Sequence, residues 1–216
     1  MQELDHEMYL KLSASAAVLE RDKYGDKVLR LKDGSFFKLF RRKRVLSSAM
    51  LYPYAQRFAD NAHLLKSRKV PCPSVLGVYR VSSLSRDLVH YAPLPGETLR
   101  HLYRNSDNPE LQGLRKRLGA FVAGLHDQGI YFRSLHLGNI VLTPDDQLGL
   151  IDIADLKGQG TALGKNKRLR NFKHLLRYAE DRDWLLADQC QDFFDAYLAT
   201  SQLRASNSFS LRLKAL

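Results

Sequence analysis

From residue 16 to residue 40 the chain reads AAVLER, DKYGD, KVLRL, KDGS, FFKLF: three apolar runs separated by two polar turns. Short runs of this kind, rich in branched and aromatic residues, read as strands. Asp33-Gly34 between two such runs is a strong hairpin signal. The segment therefore predicts three antiparallel strands, with Lys38 inside the third. Residues 47–68 then carry a helical pattern, with Pro53 near its start. Val70-Pro71-Cys72-Pro73 ends that helix, because a residue before proline is pushed out of the helical region. Two more strands are expected near 75–81 and 87–91.

The second half differs in character. Pro93, Pro95 and Gly96 break the pattern and read as a connector. Leu111, Leu114, Leu118, Phe121, Val122 and Leu125 fall on one stripe of an amphipathic helix that ends near His126, with Gly129 as its stop. Strands are expected at Ile140 to Leu142 and Leu148 to Asp152, around a turn at Pro144-Asp145-Asp146. The remainder is mostly helical. The fold class is therefore α+β, in two lobes of a single domain: a small antiparallel β-rich N-lobe of about 10–91, a connector of about 92–97, and a helical C-lobe of about 98–216. A cleft between two such lobes is a natural ligand site.

With 216 residues, of which 44% are hydrophobic, the chain is long enough for one large domain or two small lobes. A net charge of +11 favours an anionic partner: a phosphorylated glycan, a lipid head group, a nucleotide or a nucleic acid. Cys72 and Cys190 lack metal-ligand spacing and read as buried, reduced thiols. The start, MQELDHEMYLKL, is acidic and amphipathic, unlike a secretory signal. No apolar run approaches the roughly 20 residues that span a bilayer. A cytoplasmic protein is expected, with any membrane contact peripheral.

Phosphoryl transfer needs a lysine for nucleotide phosphates, an acid and an amide for Mg²⁺, and a group that handles the acceptor hydroxyl. Lys38, Asn139 and Asp152 occur in that order. The stretch GIYFRSLHLGNIVL resembles the kinase catalytic loop, written H-R-D-L-x-x-x-N or H-G-D-L-H-x-G-N. Arg133, Leu135 and Asn139 match it, and His136 and Gly138 match its second form. LIDIADL resembles the metal-binding D-F-G segment, with Asp152 as its acid. LHDQG at 125–129 is similar to the L-H-x-x-G that ends the preceding helix in kinases.

FFKLFRRKR, VPCPSVLGVYRV, YAPLPGETLRHL and RSLHLGN extend the likeness to the lipopolysaccharide core kinase group, including bacterial toluene tolerance proteins. The resemblance spans about residues 15–180. It implies a protein-kinase-like bilobal fold that uses ATP and Mg²⁺. Lys38 would hold the phosphates, the backbone of Tyr91, Ala92 and Leu94 the adenine, and Asn139 with Asp152 the metal. Arg133 would brace the loop. His136 reads either as a proton acceptor or as a structural residue of the loop. Asp155 reads as a helix cap or solvated acid rather than a second metal contact.

Three departures stand out. Ser134 occupies the catalytic aspartate position. The helix glutamate that should pair with the strand lysine falls near Phe58, with Asp60 as the nearest acid. The first hairpin lacks G-x-G-x-x-G. The chain therefore reads as a phosphotransferase of reduced activity on lipopolysaccharide core sugars, or as a nucleotide-binding pseudokinase or scaffold.

Between Leu156 and Ala179 lie seven lysines and arginines and no acid. Lys165, Lys167, Arg168, Arg170 and Lys173 are the candidate acceptor- or anion-binding residues, and a solvated helix face is the competing reading. A basic nucleic-acid-binding module would also explain the charge, but zinc-finger and RNA-binding signatures are missing.

Overall fold

A computed structural model describes residues 1–42, 52–105, 110–187, 191–203 and 207–214. Cys190, the Lys43-Arg44 half of the basic run, and the start of the helix expected from residue 47 lie outside them. The chain divides into two compact units. One comprises residues 1–94 with 152–155; the other comprises 95–151 with 156–216.

The first unit is built on a six-stranded sheet. Its strands are β1 (Gln2–Glu3), β2 (Ala17–Asp22), β3 (Gly25–Arg30), β4 (Phe36–Arg41), β5 (Ser74–Val81) and β6 (Arg86–Ala92), in the order β1-β5-β6-β4-β3-β2. The expected hairpins are present. At the β3–β4 turn Gly34 sits at φ 82, and Asp33 accepts hydrogen bonds from Ser35 N at 2.9 Å and Ser35 Oγ at 2.6 Å. Two elements go beyond the sequence reading. The short β1 pairs in parallel with β5, and α1 (His6–Ser13) follows it, capped by Asp5 Oδ1 on Met8 N at 2.7 Å.

Alternation along β4 sets up the site. Phe37 and Leu39 point to one face, where they join Leu4, Tyr9, Leu29, Val81 and Leu88 in a buried cluster. Lys38 therefore points to the other face. That face is covered by α2 (Tyr54–Ser67), whose Phe58 ring lies 5.0 Å from Tyr91 and whose Tyr54 stacks on Phe40. Pro53 caps its start in an extended conformation, and its missing N–H costs the helix no bond. Cys72 is a free, half-buried thiol, and burial pushes its pKa up to about 11.

The second unit is helical, with two small sheets. In chain order it contains β7 (Glu97–Thr98), α3 (Leu99–Asn105), α4 (Glu110–Asp127), β8 (Ile130–Phe132), β9 (Ile140–Leu142), β10 (Leu148–Leu150), β11 (Leu156–Gly158), α5 (Lys165–Leu175), α6 (Ala179–Leu186), α7 (Gln191–Thr200) and α8 (Asn207–Lys214). β9 and β10 form the expected hairpin, joined by β7, while β11 pairs with β8. Leu114, Leu118, Val122 and Leu125 are buried as the stripe predicts, while the Leu111 side chain lies outside the described residues. At Gly119 a Cβ would stand 2.2 Å from the Phe193 carbonyl oxygen, so only glycine lets α4 approach α7 this closely.

His126 is fully buried in this unit, with Nδ1 2.9 Å from Tyr197 Oη and Nε2 3.2 Å from Asn171 Oδ1. Burial, helped by the neighbouring Arg168 charge, pulls its pKa down to about 3. The unfolded chain takes up a proton here near pH 6.5 that the folded chain refuses. Stability from this residue is full above pH 6.5 and is lost progressively as the pH falls toward 3, by up to about 1.4 kcal/mol per pH unit. In H126Q, denaturant unfolding measured across that window should show a shallower acid dependence than the wild type.

Candidate functional site

Lys38 is 8% exposed, and its Nζ donates to Asp152 Oδ1 at 2.6 Å. Both residues belong to the first unit. A lysine this buried needs a partner charge, and the Asp152 side chain, about half exposed at 48%, supplies it. Asp152 also sits at φ 53, in the left-handed region. A side chain there costs roughly 1 kcal/mol or more, and such strain persists where the surroundings fix it.

One fixing contact is Asn61 on α2. Its Nδ2 donates to the Ile153 carbonyl at 2.7 Å, in a buried position beside Phe58, Ala62 and Leu65. Asn61 was invisible to motif reading. Its signal is a polar side chain on an otherwise apolar helix stripe, which demands a buried partner. Asp60 does not replace the missing helix glutamate. Its carboxylate accepts from Tyr52 Oη and from Gln56 Nε2 at 2.9 Å, within its own region of the chain. Phe58, where the glutamate was expected, is buried against Tyr91.

Tyr91 closes the β6 end of this face. Its ring stacks on Phe36, and its hydroxyl is pushed up to about 12 by burial, with Asp152 and Glu20 adding to the effect. Ala92 is the last residue of β6, opposite Ser74; Leu94 lies beyond the sheet. The β2–β3 turn is short and pinned. Asp22 Oδ1 accepts from Tyr24 N at 2.7 Å, Arg86 Nη2 donates to the Tyr24 carbonyl at 2.8 Å, and the Arg41 guanidinium lies 3.7 Å over the Tyr24 ring.

The loop from Phe132 to Asn139 belongs to the second unit. Asn139 is buried, and its Nδ2 donates to the Ser134 carbonyl at 2.9 Å. That contact orients the amide, and Oδ1 has no hydrogen-bond donor among the described residues. The Asn139 carbonyl accepts from Ile151 N at 3.0 Å, closing the β9–β10 hairpin one residue before Asp152. His136 packs edge-on against Tyr178, 5.1 Å away, and Tyr178 in turn carries the Arg100 guanidinium at 4.6 Å. These contacts fix the orientation of the His136 ring within the loop.

Two residues that no motif flagged clamp this loop. Asn171 donates to the Phe132 carbonyl at 2.6 Å and accepts from Phe132 N at 3.4 Å. Asp181, fully buried, accepts from Leu137 N at 2.9 Å while Arg100 grips it with two bonds of 2.8 Å. Bidentate geometry of this kind is among the stronger polar contacts. These residues, with Arg177 donating to the Arg133 carbonyl at 3.1 Å, do the bracing expected of Arg133. The Arg133 side chain is itself exposed.

Arg168, expected among the anion-binding cations, is instead 0% exposed. Its guanidinium pairs with Asp127 at 2.7 Å and also donates to the Leu163 carbonyl, Tyr197 Oη and Ser201 Oγ. It is a structural cation. Lys165, Lys167, Arg170 and Lys173 are exposed on α5.

Among the described residues no three His, Cys, Asp or Glu gather as a metal cluster. Mg²⁺ bound with a nucleotide needs fewer protein ligands, because phosphate oxygens and water complete its shell. The Asp152 carboxylate and the Asn139 amide oxygen are donors of the right kind. No helix among the described residues is long and apolar enough to cross a membrane.

No family model matches the chain, and no curated protein matches its sequence. Its structure is similar to that of a divergent kinase lacking the glycine-rich loop, which regulates membrane ultrastructure of the Toxoplasma parasitophorous vacuole. The TM-score is 0.52 and the identity 17%, over 90% of this chain and 76% of that one. The fold is therefore kinase-like.

The anchor on Ile153 has a measurable weight. Asn61→Ala should lower stability to urea by about 1–2 kcal/mol, because it leaves a buried carbonyl without a donor. Asp60→Ala, which removes more exposed contacts, should cost about 0.5 kcal/mol or less.

Proposed function

We propose that the chain is a phosphotransferase-like protein that binds ATP with Mg²⁺ and acts on lipopolysaccharide core sugars, at a rate reduced by Ser134. The observation that carries the reading is the nearly buried Lys38 paired at 2.6 Å with a left-handed Asp152, inside a kinase-like fold. A bound nucleotide offers Lys38 phosphate oxygens in addition to that carboxylate. Asp152 would hold Mg²⁺, which when bound would offset charge on the transferring phosphate; the kinase-loop likeness gives Asn139 the same kind of role. The backbone of Tyr91 to Leu94 would meet the adenine.

Ser134 is neutral and can only hydrogen-bond the acceptor hydroxyl. A general base contributes typically about 10²–10⁴-fold, so its loss slows transfer without removing positioning and electrostatics. The choice of acceptor is supported by the likeness of RSLHLGN and YAPLPGETLRHL to lipopolysaccharide core kinases and by the net charge of +11. A cytoplasmic protein peripheral to the inner membrane fits the same charge, since each basic residue near an anionic leaflet is worth roughly 1 kcal/mol.

A nucleotide-binding pseudokinase or scaffold is the second reading. It is favoured by the pinned β2–β3 turn, which has no phosphate cradle, and by Phe58 in place of a helix acid.

Calorimetric titration with ATP, with and without Mg²⁺, tests the pocket. Saturable Mg²⁺-dependent binding that Asp152→Asn abolishes is expected, and no binding at millimolar ATP would remove both readings. Transfer to core oligosaccharide then separates them. Ser134→Asp should raise the rate by about 10²-fold or more; binding without turnover in either form would leave the pseudokinase.

A further inference from the structure

Beside the catalytic-type loop, the second unit holds a recess of about 580 Å³ lined by Tyr131, Arg133, Lys157, Gly158, Gln159, Lys167 and Arg170. Four of these seven are lysine or arginine and none is acidic. Two separate elements aim them at one place. Lys157 on β11 stands opposite Tyr131 on β8, on the face of that ribbon away from the buried Phe132–Leu156 pair. Lys167 and Arg170 lie one helical turn apart on α5, opposite the face that buries Arg168, Asn171, Phe172 and Leu175. Arg133 completes the ring from the residue before Ser134. Lys167 Nζ is held by Gln159 Oε1, and the Tyr131 hydroxyl lies 3.1 Å from His174 Nε2. Among the described residues none of the four cations forms an ion pair.

Converging like charges repel, and a fold tolerates them where a multivalent anion relieves the repulsion. We infer that this recess binds a phosphomonoester carried by a small organic ligand. Its assignment to the acceptor rests on the phosphotransferase reading above. A phosphomonoester carries a charge of about −1.5 to −2 and several strong acceptor oxygens. Arg133 and Arg170 offer forked donors for such oxygens, and Lys157 and Lys167 offer point charges. The recess is concave and small, which suits a compact head group rather than the flat surface of a bilayer. Its single aromatic ring gives no stacking track for a nucleic acid strand. Lys165 and Lys173 lie outside the lining, so the site is narrower than the basic segment as a whole.

The test uses the full chain without nucleotide, so failure of the nucleotide pocket does not affect it. Calorimetric titration compares glucose 6-phosphate, glucose, inorganic phosphate and phosphatidylglycerol vesicles at low and moderate salt. Glucose 6-phosphate should bind, more weakly as salt rises, and glucose should not. Lys157→Ala and Arg170→Ala should each weaken binding about tenfold, while Lys173→Ala on the same helix changes it less than about twofold. All three positions are exposed, so circular dichroism should report intact folds. An equal loss in Lys173→Ala would mean diffuse charge and overturn the site. Inorganic phosphate binding as tightly as the ester would overturn the organic ligand. Vesicle binding that depends on the same residues, without glucose 6-phosphate binding, would make the recess a lipid surface instead.

Discussion

The Lys38–Asp152 contact resolves two costs at once. An ammonium group 8% exposed is expensive without a counter-charge, and an aspartate at φ 53 is strained. Each residue holds the other in place, and Asn61 pins the next carbonyl along. The sheet, the covering helix and the short turn at 153–155 all converge on this contact. The pair is mixed in character, one partner nearly buried and the other half open at 48%, so the carboxylate keeps an oxygen within reach of solvent.

The second unit follows a different logic. Its loop is held through its backbone, by Asn171 at Phe132 and by Asp181 at Leu137. Backbone clamping adds to the side-chain contacts of Asn139 and His136 within the loop. Arg133, whose carbonyl is held by Arg177, turns its side chain to an open recess.

Much of this was legible in the sequence. Alternation and Asp33-Gly34 revealed the hairpins, and the motifs singled out Lys38 and Asp152, which the structure pairs, because strand period and loop motifs are local signals. Asn61, Asn171 and Asp181 were not legible, since their partners lie 92, 39 and 44 residues away. Only the fold brings such groups together. Arg168 was misplaced because counting charges ignores helix phase. It shares a stripe with Leu169, Phe172 and Leu175, and that periodicity already marked it as inward-facing.

We propose that the Lys38–Asp152 pair of the first unit takes the metal-bound nucleotide. Paramagnetic broadening of backbone amide resonances by Mn²⁺–ATP tests it most directly. Selective broadening of the segments around Lys38 and Asp152–Ala154, absent in Asp152→Asn, is expected. Broadening confined to other parts of the chain, or unchanged in that variant, would contradict it.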